Sequence, residues 1–263
     1  MDLFDALLLG LLQGVTEFLP VSSSGHLAIA QHFLADFSQP GVLFDVLLHV
    51  ATMGAVILYF RRECLLLATA PFRRGDEAIL YRRLLWLLAL GSVPTAIIGL
   101  LFKGFFEGLF HNLPLVSLML LVTGTLLFLS ERFRRGTRKE DQLTWKDALL
   151  VGTVQGVAII PGISRSGSTI AALLLRGVDG ETAARFSFLL ALPAIFGAAL
   201  LSVDDMTAVA AADMPSYMAG MLAAFGAGLL SIHLLLAVVR RKRLFAFAIY
   251  CWLAGGLFLF LSR

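Results

Sequence analysis

Charged side chains are scarce in this sequence. Asp, Glu, Lys and Arg make up 15% of its 263 residues, hydrophobic residues make up 59%, and the mean hydropathy is +0.87. A typical soluble domain is about one quarter charged and about one half apolar. Because apolar runs recur along the whole chain, the composition excludes an ordinary soluble domain and predicts an all-α polytopic membrane protein.

Cysteine is scarce too, and the start of the chain lacks the features of a cleavable leader. Cys64 and Cys251 are far apart and lack metal-ligand spacing, so we expect neither a disulfide nor a metal site from them. The first apolar run has no basic segment before it and no small-residue cleavage site, so we expect this helix to be retained. A pI of about 9.1 would suit a nucleic-acid-binding protein, but the basic residues cluster between apolar runs, which favours membrane topology instead.

The apolar pattern predicts ten helical segments. Two of them, 24–36 and 165–176, are too short for a bilayer core, which needs about 20 helical residues. Each follows a break where proline stops the preceding helix and serine caps the next one. We therefore interpret 2–36 and 147–176 as two re-entrant hairpins. The other six segments are predicted to span the membrane: 42–60, 83–102, 114–131, 182–203, 215–239 and 244–261.

The distribution of basic residues predicts the orientation in the membrane. Arginine and lysine concentrate in the loops around 61–83 and 131–147, in the run 240–243, and around the turn 177–181. Threading the helices in order places all four on one side, which the positive-inside rule makes cytoplasmic. Both termini and the acidic loop 204–213 then lie on the opposite, outer side.

The sequence repeats itself with an offset of 142 residues. The stretch DALLLGLLQGV, beginning at Asp5, matches DALLVGTVQGV, beginning at Asp147. Further matches pair Ser22 with Ser164, Ser24 with Ser166, and Gly25 with Gly167. We interpret the chain as a single integral membrane domain, 1–263, built from repeat halves of about 1–131 and 143–263.

Each predicted half contains one hairpin and three spanning helices. An odd number of crossings gives the halves opposite orientations, which is an inverted-topology repeat. Such folds place their sites near the bilayer midplane, where broken helices meet. The hairpin tips VSSSGH and ISRSGS should therefore meet there. They differ where chemistry is expected: Ser23 in the first tip corresponds to Arg165 in the second, and His26 corresponds to Ser168.

Glu17 is an ionisable residue inside an apolar segment. Gln13 lies four residues before it, on the same helix face. Because burying an ionisable side chain in a membrane is costly, Glu17 is a functional candidate. The alternative is a snorkelling or protonated side chain at the end of a hairpin.

Serine clusters open the short helix of each hairpin. Such turns often only cap helices, but two related clusters at helix N-termini, which attract anions, indicate a phosphate site. Arg165 adds a planar, permanently charged group suited to phosphate. Arg165 could also be the buried partner of Glu17, and the two roles are compatible.

His26 shares its turn with a candidate nucleophile and an acid. These neighbours favour a role in acid–base or nucleophilic catalysis over a structural role. The remaining histidines lack such neighbours in sequence and are interpreted as structural or interfacial: His32, His49, His111 and His233.

Two motifs carry a resemblance to a known family. QGVTEFLPVSSSGH resembles the (Glu/Gln)-x-x-x-Glu motif and Ser–His turn of the bacterial undecaprenyl-diphosphate phosphatases, the bacitracin-resistance protein family. PGISRSGST resembles that family's second signature, and length, repeat and motif order agree over essentially the whole chain. Gln13 occupies a motif position where some members have Glu, so the firm carboxylate is Glu17.

The resemblance implies hydrolysis of the diphosphate on the C55 lipid carrier of cell-wall synthesis, giving the monophosphate and inorganic phosphate. It also implies a bacterial inner-membrane location, a site open to the periplasm, bacitracin resistance, and assistance by a divalent cation, Mg²⁺ or Ca²⁺. Motif positions assign function to Gln13, Glu17, Ser23, His26, Ser164, Arg165 and Thr169.

For that reaction we expect Arg165 and the helix N-termini to hold the diphosphate. Ser23 or His26 attacks phosphorus or activates water, and Glu17 acts as a base or holds the metal. With few carboxylates available, the metal is expected to bind largely through substrate oxygens and water. The expected substrate-binding side chains are Gln13, Ser22, Ser24, Ser164, Ser166 and Thr169.

Other functions and partners stay open at this point. An inverted-repeat transporter or flippase for an anion or a lipid phosphate would also use Arg165 and the serine turns. It has no evident need for Glu17, Ser23 and His26 together. A non-catalytic scaffold is a second alternative. The expected partners are a polyprenyl diphosphate and membrane lipids, and the long apolar chain leaves a homodimer open.

Overall fold

The protein is helical throughout the part of the chain that the structure describes. This computed structural model describes residues 2–34, 42–110, 112–134, 136–202 and 213–262. His111, Arg135 and all of the acidic loop 204–213 except Asp213 lie outside the described residues. Within the described ranges the only β pairing is an isolated bridge between Arg138 and Val178.

Twelve α-helices form the described fold. They are α1 Leu3–Phe18, α2 Ser23–Phe33, α3 Leu43–Tyr59, α4 Arg61–Thr69, α5 Asp76–Leu101, α6 Lys103–Leu109, α7 Leu113–Phe133, α8 Trp145–Val157, α9 Arg165–Leu175, α10 Gly180–Leu201, α11 Met214–Arg240 and α12 Phe245–Leu261. Two short 3-10 turns, Ala70–Phe72 and Glu140–Gln142, complete the described secondary structure. The prediction of an all-α protein is confirmed.

The prediction of ten helical segments is wrong by two short helices, α4 and α6. The sequence pattern placed both in loops, because charged residues open α4 and because α6 has only seven residues. In α4, Leu67 is buried while Arg61 and Arg62 are exposed. A helix with one buried apolar residue per two turns leaves too weak a pattern to be recognised between basic loops.

Four helices are long and apolar enough to cross a membrane: α5, α7, α10 and α11. The pair α3 and α4, bent by 82° at Phe60, would add a fifth. The last helix, α12, is also apolar, but with 17 residues it is shorter than these four helices. The structure thus confirms a chain with several apolar spans, while the count of six stays a prediction.

Glycine brings α1 and α8, which carry the two matching sequence stretches, each close to another long helix. In α1, a Cβ placed on Gly10 would lie 2.2 Å from the carbonyl oxygen of Gly220 in α11. At the equivalent position of α8, a Cβ on Gly152 would lie 1.8 Å from the carbonyl oxygen of Gly91 in α5. Small residues at such crossings let membrane helices approach closely and gain van der Waals contact.

Ion pairs close the second hairpin at its base. Asp147, in the first turn of α8, accepts hydrogen bonds from Arg138 Nη2 at 2.6 Å and from Arg176 Nε at 2.9 Å. Arg176 follows the last residue of α9, so these contacts join the start of α8 to the end of α9. Burial raises the pKa of Asp147, but the hydrogen bonds from Arg138, Thr144 and Arg176 outweigh it and hold this pKa well below its usual range.

We predict that Gly152→Ala destabilises the protein. Its methyl group would meet backbone atoms of α5, which cannot move aside alone, so the two helices must separate. Overpacking of this kind costs about 1–3 kcal/mol. The apparent Tm in detergent measures the effect. Gly226→Ala, where no atom lies within 4 Å of the added Cβ, is the control, and equal melting of both variants would contradict the close crossing.

We also predict that Asp147→Asn lowers the stability of the folded protein and that the size of this effect depends on pH. The native pKa is depressed, so the carboxylate contributes its full stability above the unfolded-state value of 3.8 and loses it progressively as the pH falls through the native pKa. Melting curves between about pH 7 and pH 2 should show the variant less stable by a constant amount at neutral and mildly acidic pH, with the difference narrowing below pH 3.8, where the unfolded state takes up the proton first. Asp76→Asn, at an exposed first turn, is the matched control. A difference that stays constant with pH would contradict the pairing.

Candidate active site

The tips of the two helix pairs touch each other. A Cβ on Gly25, in the first turn of α2, would lie 3.0 Å from the Cα of Gly162. A Cβ on Gly167, in the first turn of α9, would lie 3.1 Å from the Cβ of Pro20. At the repeat offset of 142 residues, Gly25 corresponds to Gly167 and Pro20 corresponds to Gly162. Each contact is therefore the counterpart of the other.

The first tip carries backbone strain. Helix α1 ends at Phe18, before Pro20, and α2 begins at Ser23. The last residue of the connecting turn, Ser22, has φ +69° and ψ +93°, outside the regions that a serine ordinarily adopts. Such strain costs about 1–3 kcal/mol and clusters at functional sites. Ser22 Oγ accepts a hydrogen bond from the Gly25 N–H at 3.2 Å, which caps α2 and holds Ser23 at its first position.

The second tip is supported by α7. Ser164 Oγ accepts from the Gly167 N–H at 3.0 Å and caps α9. The Ser164 N–H donates to Thr123 Oγ1 at 3.0 Å, and Thr123 in turn donates to the Gly162 carbonyl at 3.0 Å. These bonds fix Arg165 as the first residue of α9, the position that Ser23 holds in α2.

Glu17 connects the two tips. Its side chain is only 4% exposed. Oε1 accepts a hydrogen bond from Arg165 Nη2, and Oε2 accepts from Ser23 Oγ at 2.5 Å and from Gln13 Nε2 at 3.1 Å. The carboxylate therefore pairs with a cation from the second tip and lies within hydrogen-bond reach of a hydroxyl from the first. That is the geometry of an activated nucleophile beside its base.

His49 is a member of this cluster that sequence reasoning missed. Its Nε2 lies 3.3 Å from Glu17 Oε2, so His49, which the sequence indicated as structural or interfacial, has an acidic neighbour that is distant in sequence. The contact joins residues 32 positions apart in sequence, which no local spacing rule detects. A signal was nevertheless present, because His49 is an imidazole within an apolar helix, the criterion that singled out Glu17.

His26 lies at the same tip but faces another helix. Its Nδ1 is 2.7 Å from the Ser22 carbonyl oxygen, and its Nε2 is 2.7 Å from the hydroxyl of Tyr250 in α12. The two rings stack, with centroids 5.6 Å apart and planes 11° apart. Both ring nitrogens thus contact groups other than Glu17 and Ser23. Sequence reasoning had no basis for including Tyr250, which is 224 residues from His26.

The remaining predicted residues divide into helix caps and packing contacts. The hydroxyls of Ser22 and Ser24 lie 3.3 Å apart, and those of Ser164 and Ser166 lie 3.4 Å apart, so each tip has a pair of hydroxyls at its helix start. Thr169 is fully buried, and its hydroxyl donates to the Arg165 carbonyl at 2.8 Å and contacts Ser187 Oγ of α10. In this structure Thr169 packs α9 on α10 rather than lining the tip.

Some polar atoms near the tips have no hydrogen-bond partner within the described residues. They are Gln13 Oε1, Arg165 Nη1 and Ser168 Oγ, all of them buried. Buried polar atoms are rarely left unpaired, so each such atom requires an explanation. Arg165 Nη1 in particular is a charged donor with capacity for an anion while Nη2 remains on Glu17.

The donor set does not fit a metal ion held by protein ligands. The described residues contain no group of three or more His, Cys, Asp or Glu side chains that could hold one. Both oxygens of Glu17 are engaged, one of them by the Arg165 guanidinium. A cation placed on this carboxylate would have to displace an arginine and would be repelled by it.

The fold and this cluster define a helical protein with several apolar spans and a polar site where two helix breaks meet. A family model described as bacitracin resistance protein BacA matches residues 6–257. A protein of Syntrophotalea carbinolica named undecaprenyl-diphosphatase is 65% identical over 262 residues, covering 100% of both chains.

Two further relatives of that name come from Desulforapulum autotrophicum and Halothermothrix orenii. The first is 43% identical over 267 residues, covering 97% of this chain and 96% of its own. The second is 41% identical over 264 residues, covering 100% of this chain and 99% of its own. The chain belongs to the bacitracin resistance protein BacA family.

Proposed function

We propose that this protein hydrolyses undecaprenyl diphosphate to undecaprenyl phosphate and inorganic phosphate. The reaction recycles the lipid carrier of cell-wall synthesis and thereby confers resistance to bacitracin. The observation that carries the proposal is the contact of Glu17 with both Ser23 and Arg165 at the meeting point of the tips. Full-length relatives that bear the name undecaprenyl-diphosphatase support it.

The diphosphate is bound where positive charge and helix N-termini converge. Arg165 Nη1 supplies an unpaired, charged donor, and α2 and α9 both begin at the tips. Helix N-termini favour anions through their free N–H groups and the helix dipole. Phosphoryl transfer needs mainly positioning and charge stabilisation, which these groups provide. Ser24 and Ser166, with hydroxyls beside the capping serines, are the further donors in reach of the phosphate.

Ser23 is the nucleophile that the geometry favours. Its hydroxyl already donates to Glu17 Oε2 at 2.5 Å. Ser23 Oγ forms a bond to the terminal phosphorus as its proton passes to Glu17, and the bond to the bridging oxygen breaks, releasing undecaprenyl phosphate. Water then attacks the seryl phosphate, Ser23 recovers its proton from Glu17, and inorganic phosphate leaves. His26 is less favoured as the nucleophile, because its Nε2 is bound to Tyr250.

A divalent cation, Mg²⁺ or Ca²⁺, would enter this site with the substrate. Its ligands would be diphosphate oxygens and water, as is usual for Mg²⁺ in phosphate chemistry. The amide oxygen of Gln13, which has no hydrogen-bond partner among the described residues, would be available to join them. Bound in this way, the ion would neutralise charge on the diphosphate.

We propose one membrane domain with inverted repeats, six spanning helices and two re-entrant hairpins. The reciprocal contacts Gly25–Gly162 and Gly167–Pro20 support it, because an exact exchange of partners is what a two-fold relation between the halves requires. The basic loops would face the cytoplasm. Both termini and the opening of the site would face the periplasm. The alternative of a transporter is not favoured, since the relatives are named for hydrolysis.

We predict that phosphate release from C55 diphosphate by the purified protein requires Glu17 and Arg165. Glu17→Gln removes the proton acceptor and should lower kcat at least about 100-fold. Arg165→Ala removes the charged donor and should lower kcat/KM by about 100- to 1000-fold. Released phosphate is measured in detergent, where no gradient exists, with and without a chelator.

The matched controls change the same chemistry at exposed positions. Glu107→Gln in α6 and Arg62→Ala in α4 lie outside the site and should retain wild-type turnover. An Arg165→Ala protein with normal turnover, or a wild-type protein that releases no phosphate, would contradict the proposed function.

The nucleophile can be identified directly. A rapid acid quench of enzyme with substrate labelled at the terminal phosphorus should leave label on Ser23, because phosphoserine survives acid. A parallel base quench should remove this label, whereas a phosphohistidine would be lost in acid and kept in base. Ser23→Ala should abolish the label, whereas Tyr250→Phe should keep it. Label on His26 would overturn the assignment of Ser23.

A further inference from the structure

We propose that His49 is a positioning residue that holds the Glu17 carboxylate against the Ser23 hydroxyl. The proposal rests on the function assigned above. Sequence motifs gave His49 no role, and the structure places it on α3, outside both tips. Its contact with Glu17 nevertheless adds a fourth helix to the site, beside α1, α2 and α9.

The hydrogen bonds of His49 define its orientation. Nδ1 lies 2.7 Å from the backbone carbonyl oxygen of Asp45, and Nε2 lies 3.3 Å from Glu17 Oε2. A carbonyl oxygen and a carboxylate oxygen accept hydrogen bonds and donate none. A ring that bonds to both therefore donates from both nitrogens, which is the imidazolium form. The Asp45 carbonyl fixes the ring, and the ring fixes Oε2.

The oxygen that His49 contacts is the one that serves Ser23. Oε2 accepts from Ser23 Oγ, whereas Arg165 donates to Oε1. The two cations thus divide the carboxylate between them: Arg165 holds the edge toward the second tip, and His49 holds the edge toward the nucleophile. Without His49, Oε2 would keep only Gln13 and Ser23 as donors, and the carboxylate could rotate about its last bond.

His49 also supplies charge when Arg165 engages phosphate. Removing one partner from a buried ion pair leaves an uncompensated charge, which is strongly unfavourable. If the Arg165 guanidinium turns toward the diphosphate, Glu17 retains a cation only because His49 is present. Glu17, Arg165 and an imidazolium at His49 together carry a net positive charge, which suits an anionic substrate.

Steady-state kinetics of three variants test this role. His49→Leu removes the donor and should lower kcat by about 10- to 100-fold, the scale of a misplaced catalytic group, with little change in KM. His49→Gln restores a donor at this position and should recover a clear part of the loss. The His49 side chain is 27% exposed, so a direct contact with substrate is the rival role, and it would raise KM instead. His233→Leu, at an exposed histidine that contacts Tyr59, is the matched control.

A readout independent of activity separates this proposal from the assigned function. Apparent Tm values for wild type, His49→Leu, Glu17→Gln and the double variant form a cycle, and residues in contact should give a clearly non-additive loss. Such coupling is expected even if the wild-type protein releases no phosphate. Additive losses, an unchanged kcat in His49→Leu, or equal kcat values for the Leu and Gln variants would each overturn the proposal.

Discussion

A carboxylate buried among apolar helices needs a cationic partner, and at Glu17 that partner comes from the other half of the chain. Desolvation of a carboxylate costs several kcal/mol even after relaxation, which is a large share of the stability of a domain. The burial of Glu17 therefore depends on its ion pair with Arg165, which His49 supplements. The ion pair spans 148 residues of sequence. It requires both helix breaks, since Arg165 is available only where α9 starts. The same pair that makes the burial of Glu17 tolerable leaves one edge of Arg165 unpaired, and this surplus makes the site suitable for an anion.

Small residues make this ion pair geometrically possible. Two helix starts can approach only if their first turns lack side chains at the contact, and Gly25 and Gly167 meet that condition. Helices α1 and α8 have ended before these points, and Pro20 and Gly162, which has a positive φ, lie in the turns that lead to the next helices. Ser22 adopts a positive φ without being glycine. Its strain is tolerated because its side chain caps α2, and the result is that Ser23 points at Glu17.

The helix breaks, the short helices α2 and α9 that follow them, and the contact between the tips could be predicted from the sequence. Each has a local sequence signal or recurs at the repeat offset. The link between Glu17 and Arg165 was among the alternatives, since only those two charged residues lay at the breaks. His49 and Tyr250 could not be placed, because their contacts depend on how α3 and α12 pack. Helix α4 was missed for a related reason: its apolar face is set by the bend at Phe60 rather than by a long periodic pattern.

The two matching sequence stretches differ at one position that decides the chemistry of the contact between the tips. Ser23 and Arg165 occupy the same position in their helices, directly after a capping serine. Identical tips would have brought two hydroxyls or two guanidinium groups together, and two cations would repel while two hydroxyls could not neutralise Glu17. With one of each, the hydroxyl and the cation bind the two oxygens of a single carboxylate. The asymmetry therefore gives this contact both a cation that pairs with Glu17 and a hydroxyl next to its base.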